Sequence, residues 1–394
     1  MKYAILIGDG MSDYPLKELG DKTPLEAAKT PNMDSIAMNG LTGFVKNVPK
    51  GFKPGSDIAN LSIFGYDPAK YFTGRGPLEA AYMGVKLKPS DVAFRCNVVT
   101  IKDGIMADFT AGHISNGEAE ELIKFIDKEL GSKEVRFYPG VSYRHLTVIE
   151  NGPADAECTP PHDITDKKID QYLPKGKNSE ILNKLMSESV PLLADHEVNK
   201  KRISSGKNPA NMIWLWGQGR VPQMPSFKQK YGLTGSVITA VNLLKGIGVC
   251  IGLDVINVPG ATGYFDTNYK GKAEYALDSL KNHDVVFVHL ESPDEAGHMG
   301  DIKAKVKAIE DFDNLVVGTV LKGIKKFGDY RVIVLPDHPT PISIKTHSAD
   351  PVPFAMCGGG VKQDSVSHYN EKEVSRSKLS IDSGHELLGF LFKR

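Results

Sequence analysis

The feature that most constrains this chain is a repeated event: a short, unbroken, β-branched apolar run that stops abruptly at acidic or imidazole side chains. The run YAILI (3–7) is followed by Gly8-Asp9-Gly10, DVVFVHL (284–290) by ESPDEAGH, and YRVIVL (330–335) by PDHPTP. Runs of this length without polar alternation suit strands covered on both faces, as in a parallel sheet between layers of helix. Helical stretches at 272–281 and 302–327 lie between such runs, so the spacing predicts an open α/β sheet. In these sheets, sites form beyond the carboxyl ends of the strands. One aspartate after one strand is a turn residue; the same event at three strands predicts an active site.

The middle of the chain is different. Between about 91 and 227 lie four strand-like segments, VAFRCNVVTI, VRFYPG, SYRHLTVI and NMIWLW, separated by helical stretches at 117–130 and 179–195. This reads as α+β material inserted into the first domain. A chain of 394 residues also exceeds the usual size of one core. The turn-rich stretch 84–89 is the expected crossover, giving 1–88 with 228–394 as the outer domain and 89–227 as the insert. No internal repeat or low-complexity segment interrupts either part.

Charge narrows the partners. With 48 basic and 48 acidic residues, the formal net charge is +0, so neither nucleic acid nor a membrane surface is expected as a partner. An anionic substrate must then be held by local cations, either Arg and Lys or metal ions. Cys96, Cys158, Cys250 and Cys357 form no CxxC pair, as expected of a chain from a reducing compartment. The first apolar run is too short for a signal or spanning segment. A soluble cytoplasmic protein is expected, and a monomer.

The chemistry-bearing residues fall into two groups. Asp294 and His298 are four apart, so a helical start after the strand puts both on one side, and His347 follows in THSADPVPF. Asp337 and His338 are adjacent at a strand end between Pro336 and Pro339, which stop a helix from running through. Asp9 sits between glycines. One divalent ion would take Asp294, His298 and His347; another would take Asp9, Asp337, His338 and a hydroxyl. Carboxylate and imidazole donors suit Mn²⁺ or Zn²⁺, and also accept Co²⁺ or Mg²⁺. Such a pair can clamp a transferring phosphoryl group and activate an alcohol. The hydroxyl candidate is Ser56 in KPGSDIAN, just ahead of an apolar helical stretch, where backbone N–H groups face an anion. Each residue alone has an ordinary reading, as N-cap, turn aspartate or packed histidine. Their joint placement at strand ends does not.

The segments GDG, PGSDIANLSIFGYDP, GRGPLEA, ESPDEAGH and LPDHPTP resemble the cofactor-independent phosphoglycerate mutases of the short archaeal-type branch, in order and spacing. The resemblance implies an alkaline-phosphatase-like, mostly parallel sheet flanked by helices that carries two metals, with the smaller α+β insert closing over substrate. It implies interconversion of 3-phosphoglycerate and 2-phosphoglycerate without 2,3-bisphosphoglycerate. Ser56 would be the phosphorylated nucleophile and share one metal with Asp9, Asp337 and His338; Asp294, His298 and His347 would hold the other. In the insert the likeness is looser. TPPHDI points to His162 and Asp163 as substrate contacts, and Arg144 and Arg220 are candidates for the carboxylate, which guanidinium binds bidentately. Arg75 in TGRGP and Lys270 or Lys272 in NYKGK are candidates for the phosphoryl group. The longer bacterial members carry an arginine cluster where this chain has Arg220 alone. His113 in AGHIS stands near the place of a histidine in those enzymes, with different neighbours.

The departures in the insert keep other uses of the same metals open: phosphopentomutase, phosphatase, or a kinase of a small hydroxy-amino acid such as homoserine, with Asp163 meeting the ammonium. The chain has no GxxxxGK[ST] segment, so a Walker-type nucleotide site is not expected. A non-enzymatic scaffold would be expected to have lost Ser56 or part of the ligand set, and all seven positions are intact.

Overall fold

A computed structural model describes residues 1–393 and divides the chain into two compact units, one of Met1–Phe72 with the chain from Met224 onward, the other of Thr73–Gln223. The first unit is built on an eight-stranded sheet. Its order is Ser380–Ile381, Gly40–Val45, Val352–Gly358, Tyr330–Leu335, Lys2–Gly8, Val285–Leu290, Gly235–Ile238 and Asp254–Val255. Val352–Gly358 runs antiparallel to both neighbours, and the other pairings are parallel.

The three apolar runs that end in acidic or imidazole side chains are the three central strands, side by side. Ile7 is in register with both His289 and Leu335, so the three carboxyl ends stop at one level. Their lack of polar alternation follows from burial on both faces. Ala4, Leu6, Val286, Val288, Val332 and Val334 pack against the helix Tyr269–Ser279 and the helical stretch that begins at Ile302. On the other face Phe287 meets Phe64 and Phe227 edge-on, with ring centroids 4.7 and 5.8 Å apart.

The long helix expected over 302–327 is interrupted. Ile302–Asp311 passes into a π-helical turn, Phe312–Val317, before Gly318–Ile324. The wider turn brings Asp313 to the first turn of the helix Pro31–Met38, where it accepts from the Met33 N–H at 2.7 Å and from Asn32 Nδ2 at 2.8 Å.

In the second unit Asp91–Lys102 is the central strand, paired antiparallel with Ile105–Asp108, Arg144–Glu150 and Met212–Gly219; Val135–Val141 continues the sheet beside Arg144–Glu150. The helices Asn116–Leu130 and Glu180–Ala194 supply Leu122, Ile126, Leu182 and Met186 to its core.

The division between units falls at 72/73 rather than at the expected 88/89. The helix Arg75–Tyr82 packs on the strand Asp91–Lys102: Ala80 is in one cluster with Ala93 and Leu146, and Glu79 pairs with Arg95 at 2.8 Å. A Cβ on Gly76 would lie 2.2 Å from the Ala93 carbonyl oxygen, so only glycine permits that approach. Nothing in an amphipathic helix states which sheet its apolar face will cover. The return point falls at 223/224 rather than 227/228, because Phe227 joins the aromatic stack of the first unit.

Among the described residues, no helix is long and apolar enough to cross a membrane. All four cysteines are free thiols.

Candidate active site

Asp9, Glu291 and Asp337 leave the sheet from neighbouring strands, which is why residues so far apart in sequence meet. The helix Ser292–Met299 follows the strand Val285–Leu290 and places Asp294 and His298 one turn apart, with Asp294 Oδ2 3.2 Å from His298 Nε2. His347 completes this group at 3.5 Å from Asp294 Oδ1 and 3.0 Å from His298 Nε2. His338 Nε2 lies 3.4 Å from Asp9 Oδ1 and 3.6 Å from Asp337 Oδ2. Ser56, the first residue of the helix Ser56–Ile63, has Oγ 3.2 Å from His338 Nε2 and 3.4 Å from both Asp9 oxygens. All seven positions singled out in the sequence therefore converge.

Three buried carboxylates, Asp9, Asp294 and Asp337, crowd here. Burial, then the charges of Asp337 and Asp294, push the Asp9 carboxyl well above the usual carboxylate range. Burial also opposes ionisation of Asp337, but His338 and His289 override it and hold that carboxyl low. The hydrogen bond that His298 donates to the Asp294 carboxylate lifts its imidazole to about 9. A protein that buries this much negative charge needs a compensating cation. Asp294, His298 and His347 form one set whose donor atoms all lie within 4.8 Å of one another; Asp9 joins His289 and Asp337, or Asp294 and His338, within the same limit. These donor sets fit two divalent ions.

Several residues that the motif argument missed hold this centre in place. Asn60, one helical turn beyond Ser56, donates Nδ2 to Asp337 Oδ2 at 2.7 Å and to the Ser56 carbonyl at 2.9 Å. The N–H groups of Gly10 and His338 donate to Asp337 Oδ1 at 3.1 and 2.8 Å. Thr340 Oγ1 donates to Asp294 Oδ1. Gly10 has φ +59°, and a Cβ there would sit 2.4 Å from Thr340 Oγ1 and 2.5 Å from Asp294 Oδ1, so the first loop needs glycine twice over. His289, inside a strand, faces Asp9 at 3.3 Å. An imidazole in an otherwise apolar buried run was the available signal for it.

The expected substrate contacts are placed less uniformly. In the second unit, His162 and Trp216 have ring centroids 5.3 Å apart, and Arg75 lies 5.9 Å from the Trp216 ring. His162 Nε2 lies 3.6 Å from Asp163 Oδ1 on the short helix Pro161–Ile164. Arg144 is exposed over the Tyr143 ring at 5.1 Å, and Arg220 is exposed, donating to the Ser90 carbonyl at 3.0 Å. A buried guanidinium the motifs did not suggest, Arg95, stacks on Trp216 at 4.5 Å. In the first unit, Lys270 is exposed and pairs with Glu274 at 3.5 Å. Lys272, the other lysine considered for the phosphoryl group, turns into the core and binds Glu291 Oε2 at 2.5 Å and the His289 carbonyl at 2.9 Å.

A family model described as 2,3-bisphosphoglycerate-independent phosphoglycerate mutase matches residues 37–199. A protein of that name from Methanosarcina acetivorans is 56% identical over 396 residues, covering 100% of each chain. A Geobacter sulfurreducens protein, named a probable mutase of this kind, is 52% identical and also covers 100% of both. Among solved structures, the cofactor-independent phosphoglycerate mutase of Thermoplasma acidophilum aligns with TM-score 0.69, 31% identity and 100% of each chain covered. A Pyrococcus horikoshii protein aligns with TM-score 0.84 at 32% identity, over 99% of this chain and 96% of that one.

Proposed function

This chain belongs to the 2,3-bisphosphoglycerate-independent phosphoglycerate mutases and interconverts 3-phosphoglycerate and 2-phosphoglycerate, and on that footing we propose that Ser56 carries the phosphoryl group between the two hydroxyls. The observation that carries this reading is the position of Ser56 Oγ, at a helix N-terminus and within 3.4 Å of both His338 and Asp9. The relatives' shared name does not favour the homoserine kinase alternative.

Ser56 Oγ gives up its proton and bonds to phosphorus as the bond from phosphorus to the substrate oxygen breaks, and that oxygen takes up a proton and leaves as a hydroxyl. The glycerate turns, its other hydroxyl gives up its proton as it bonds to phosphorus, and the bond from phosphorus to Ser56 Oγ breaks with a proton returned to Oγ. Ser56 is the first residue of the helix Ser56–Ile63, so the N–H groups of its first turn would favour a phosphoryl group carried there. Asn60 fixes the serine backbone and Asp337 together, so nucleophile and charge centre keep one geometry. The family implies divalent metals. We assign one to Asp294, His298 and His347 and the other to Asp9, Ser56, Asp337 and His338, with Mn²⁺ or Zn²⁺ preferred from the mixed O and N donors. When bound, the pair offsets phosphoryl charge and lowers the pKa of a hydroxyl.

We further assign substrate binding to Arg144, His162, Asp163 and Arg220, with Arg75 and Lys270 for the phosphoryl group, and a monomeric, cytoplasmic state to the chain. Replacing Ser56 with Ala is expected to lower turnover by at least about 10³-fold while Mn²⁺ is still bound. Turnover near the wild-type value would overturn the assignment.

A further inference from the structure

His289 lies at the second cation site but is not among the ligands assigned above. Its ring is buried, with side-chain exposure of 1%. Nε2 makes no hydrogen bond, although it lies 3.3 Å from Asp9 Oδ2 and 3.8 Å from Asp337 Oδ2. An unpartnered buried imidazole nitrogen costs stability unless something else meets it.

The other nitrogen shows how the ring is anchored. Nδ1 lies 3.3 Å from Thr239 Oγ1 and 3.4 Å from Glu291 Oε1. Glu291 Oε1 already accepts from Thr239 Oγ1 at 3.1 Å and from the Ala240 N–H at 2.6 Å, and Oε2 accepts from Lys272. That wiring leaves Nδ1 as the donor. Nε2 then faces two carboxylates, a face made entirely of acceptors, where a bound cation would displace its proton and take up its lone pair. A carboxylate behind the distal nitrogen is the arrangement that orients a metal-binding histidine and raises its basicity.

We propose that His289 is a metal ligand, joining Asp9 and Asp337 through Nε2, with Thr239 and Glu291 fixing the ring and Lys272 balancing Glu291. The proposal rests on the two-cation reading above but adds a donor to it. Four imidazoles, those of His289, His298, His338 and His347, would then bind metal. This predicts that the second ion is held by a predominantly buried set and exchanges more slowly than the ion on the partly exposed His298 and His347.

The test uses the full chain, labelled with ¹⁵N-histidine and loaded with ¹¹³Cd²⁺. Four imidazoles showing ¹¹³Cd–¹⁵N coupling are expected, and a His289→Asn variant should lose one of them. In the same variant, equilibrium dialysis should show one Mn²⁺ bound at least about 100-fold more weakly and the other unchanged. Three coupled imidazoles in the wild type would overturn the proposal while leaving the two-cation reading intact. No coupled imidazole at all would overturn both. If the variant does not fold, the wild-type count alone decides.

Discussion

Lys305 ties together two loops that carry the site, and its replacement by Met should cost far more than an ordinary surface substitution. Its ammonium, with no exposed surface, donates to Asp13 Oδ2 at 2.7 Å and to the Thr340 carbonyl at 2.8 Å. Asp13, equally buried, also accepts from the Ile342 N–H at 3.2 Å. Methionine matches the lysine stem but leaves the Asp13 carboxylate buried without its cation. Breaking one side of such a pair costs roughly 3–5 kcal/mol. For a unit of this size that lowers the thermal midpoint by about 6–20 °C, at roughly 2–4 °C per kcal/mol. Thr340 Oγ1 also donates to Asp294, so the loss should reach the first cation site and weaken Mn²⁺ binding there. Thermal unfolding followed by circular dichroism, with and without Mn²⁺, measures both effects. Adding Asp13→Asn removes the stranded charge and should recover at least half of the loss. A single variant within about 1 kcal/mol of wild type, or a double variant no better than the single, would refute the reasoning.

Other consequences are sharper in kind than in size. Asn60→Ala removes the donor at 2.7 Å from Asp337 Oδ2 and should weaken Mn²⁺ binding by about 10–100-fold in equilibrium dialysis. Burial pushes the His145 imidazole in the insert down to about 3 from an ordinary 6.5. The unfolded chain therefore takes up this proton first as pH falls, and the stability the neutral ring contributes is lost progressively from pH 6.5 toward 3. At pH 5.5 the loss is on the order of 1 kcal/mol, measurable by urea unfolding, and His145→Gln should flatten that dependence.

The sheet was legible because burial on both faces leaves an unmistakable mark on a strand, an apolar run with no alternation. The site was legible because Asp9, Asp294 and Asp337 are placed by strand ends, and a strand end can be read locally. What escaped depends on partners distant in sequence. The helix Arg75–Tyr82 belongs with the insert because of Ala93 and Arg95, which its own pattern does not name. The two candidates of NYKGK, Lys270 and Lys272, are separated by helical phase: one is exposed and the other is turned inward to Glu291. His289 was passed over because a histidine in an apolar strand reads first as packing. The π turn at Phe312–Val317 has no local cause either, since Asp313 is drawn to Asn32 and Met33.

The central claim is that the phosphoryl group rests on Ser56 between its two positions on glycerate. Mixing the Mn²⁺-loaded chain with ³²P-labelled 3-phosphoglycerate, quenching in acid within milliseconds and mapping the labelled peptide tests it most directly. Label on Ser56 that forms and decays at the rate of turnover is the predicted result. Rapid isomerisation with no protein-bound label at any quench time, or label on a different residue, would contradict it.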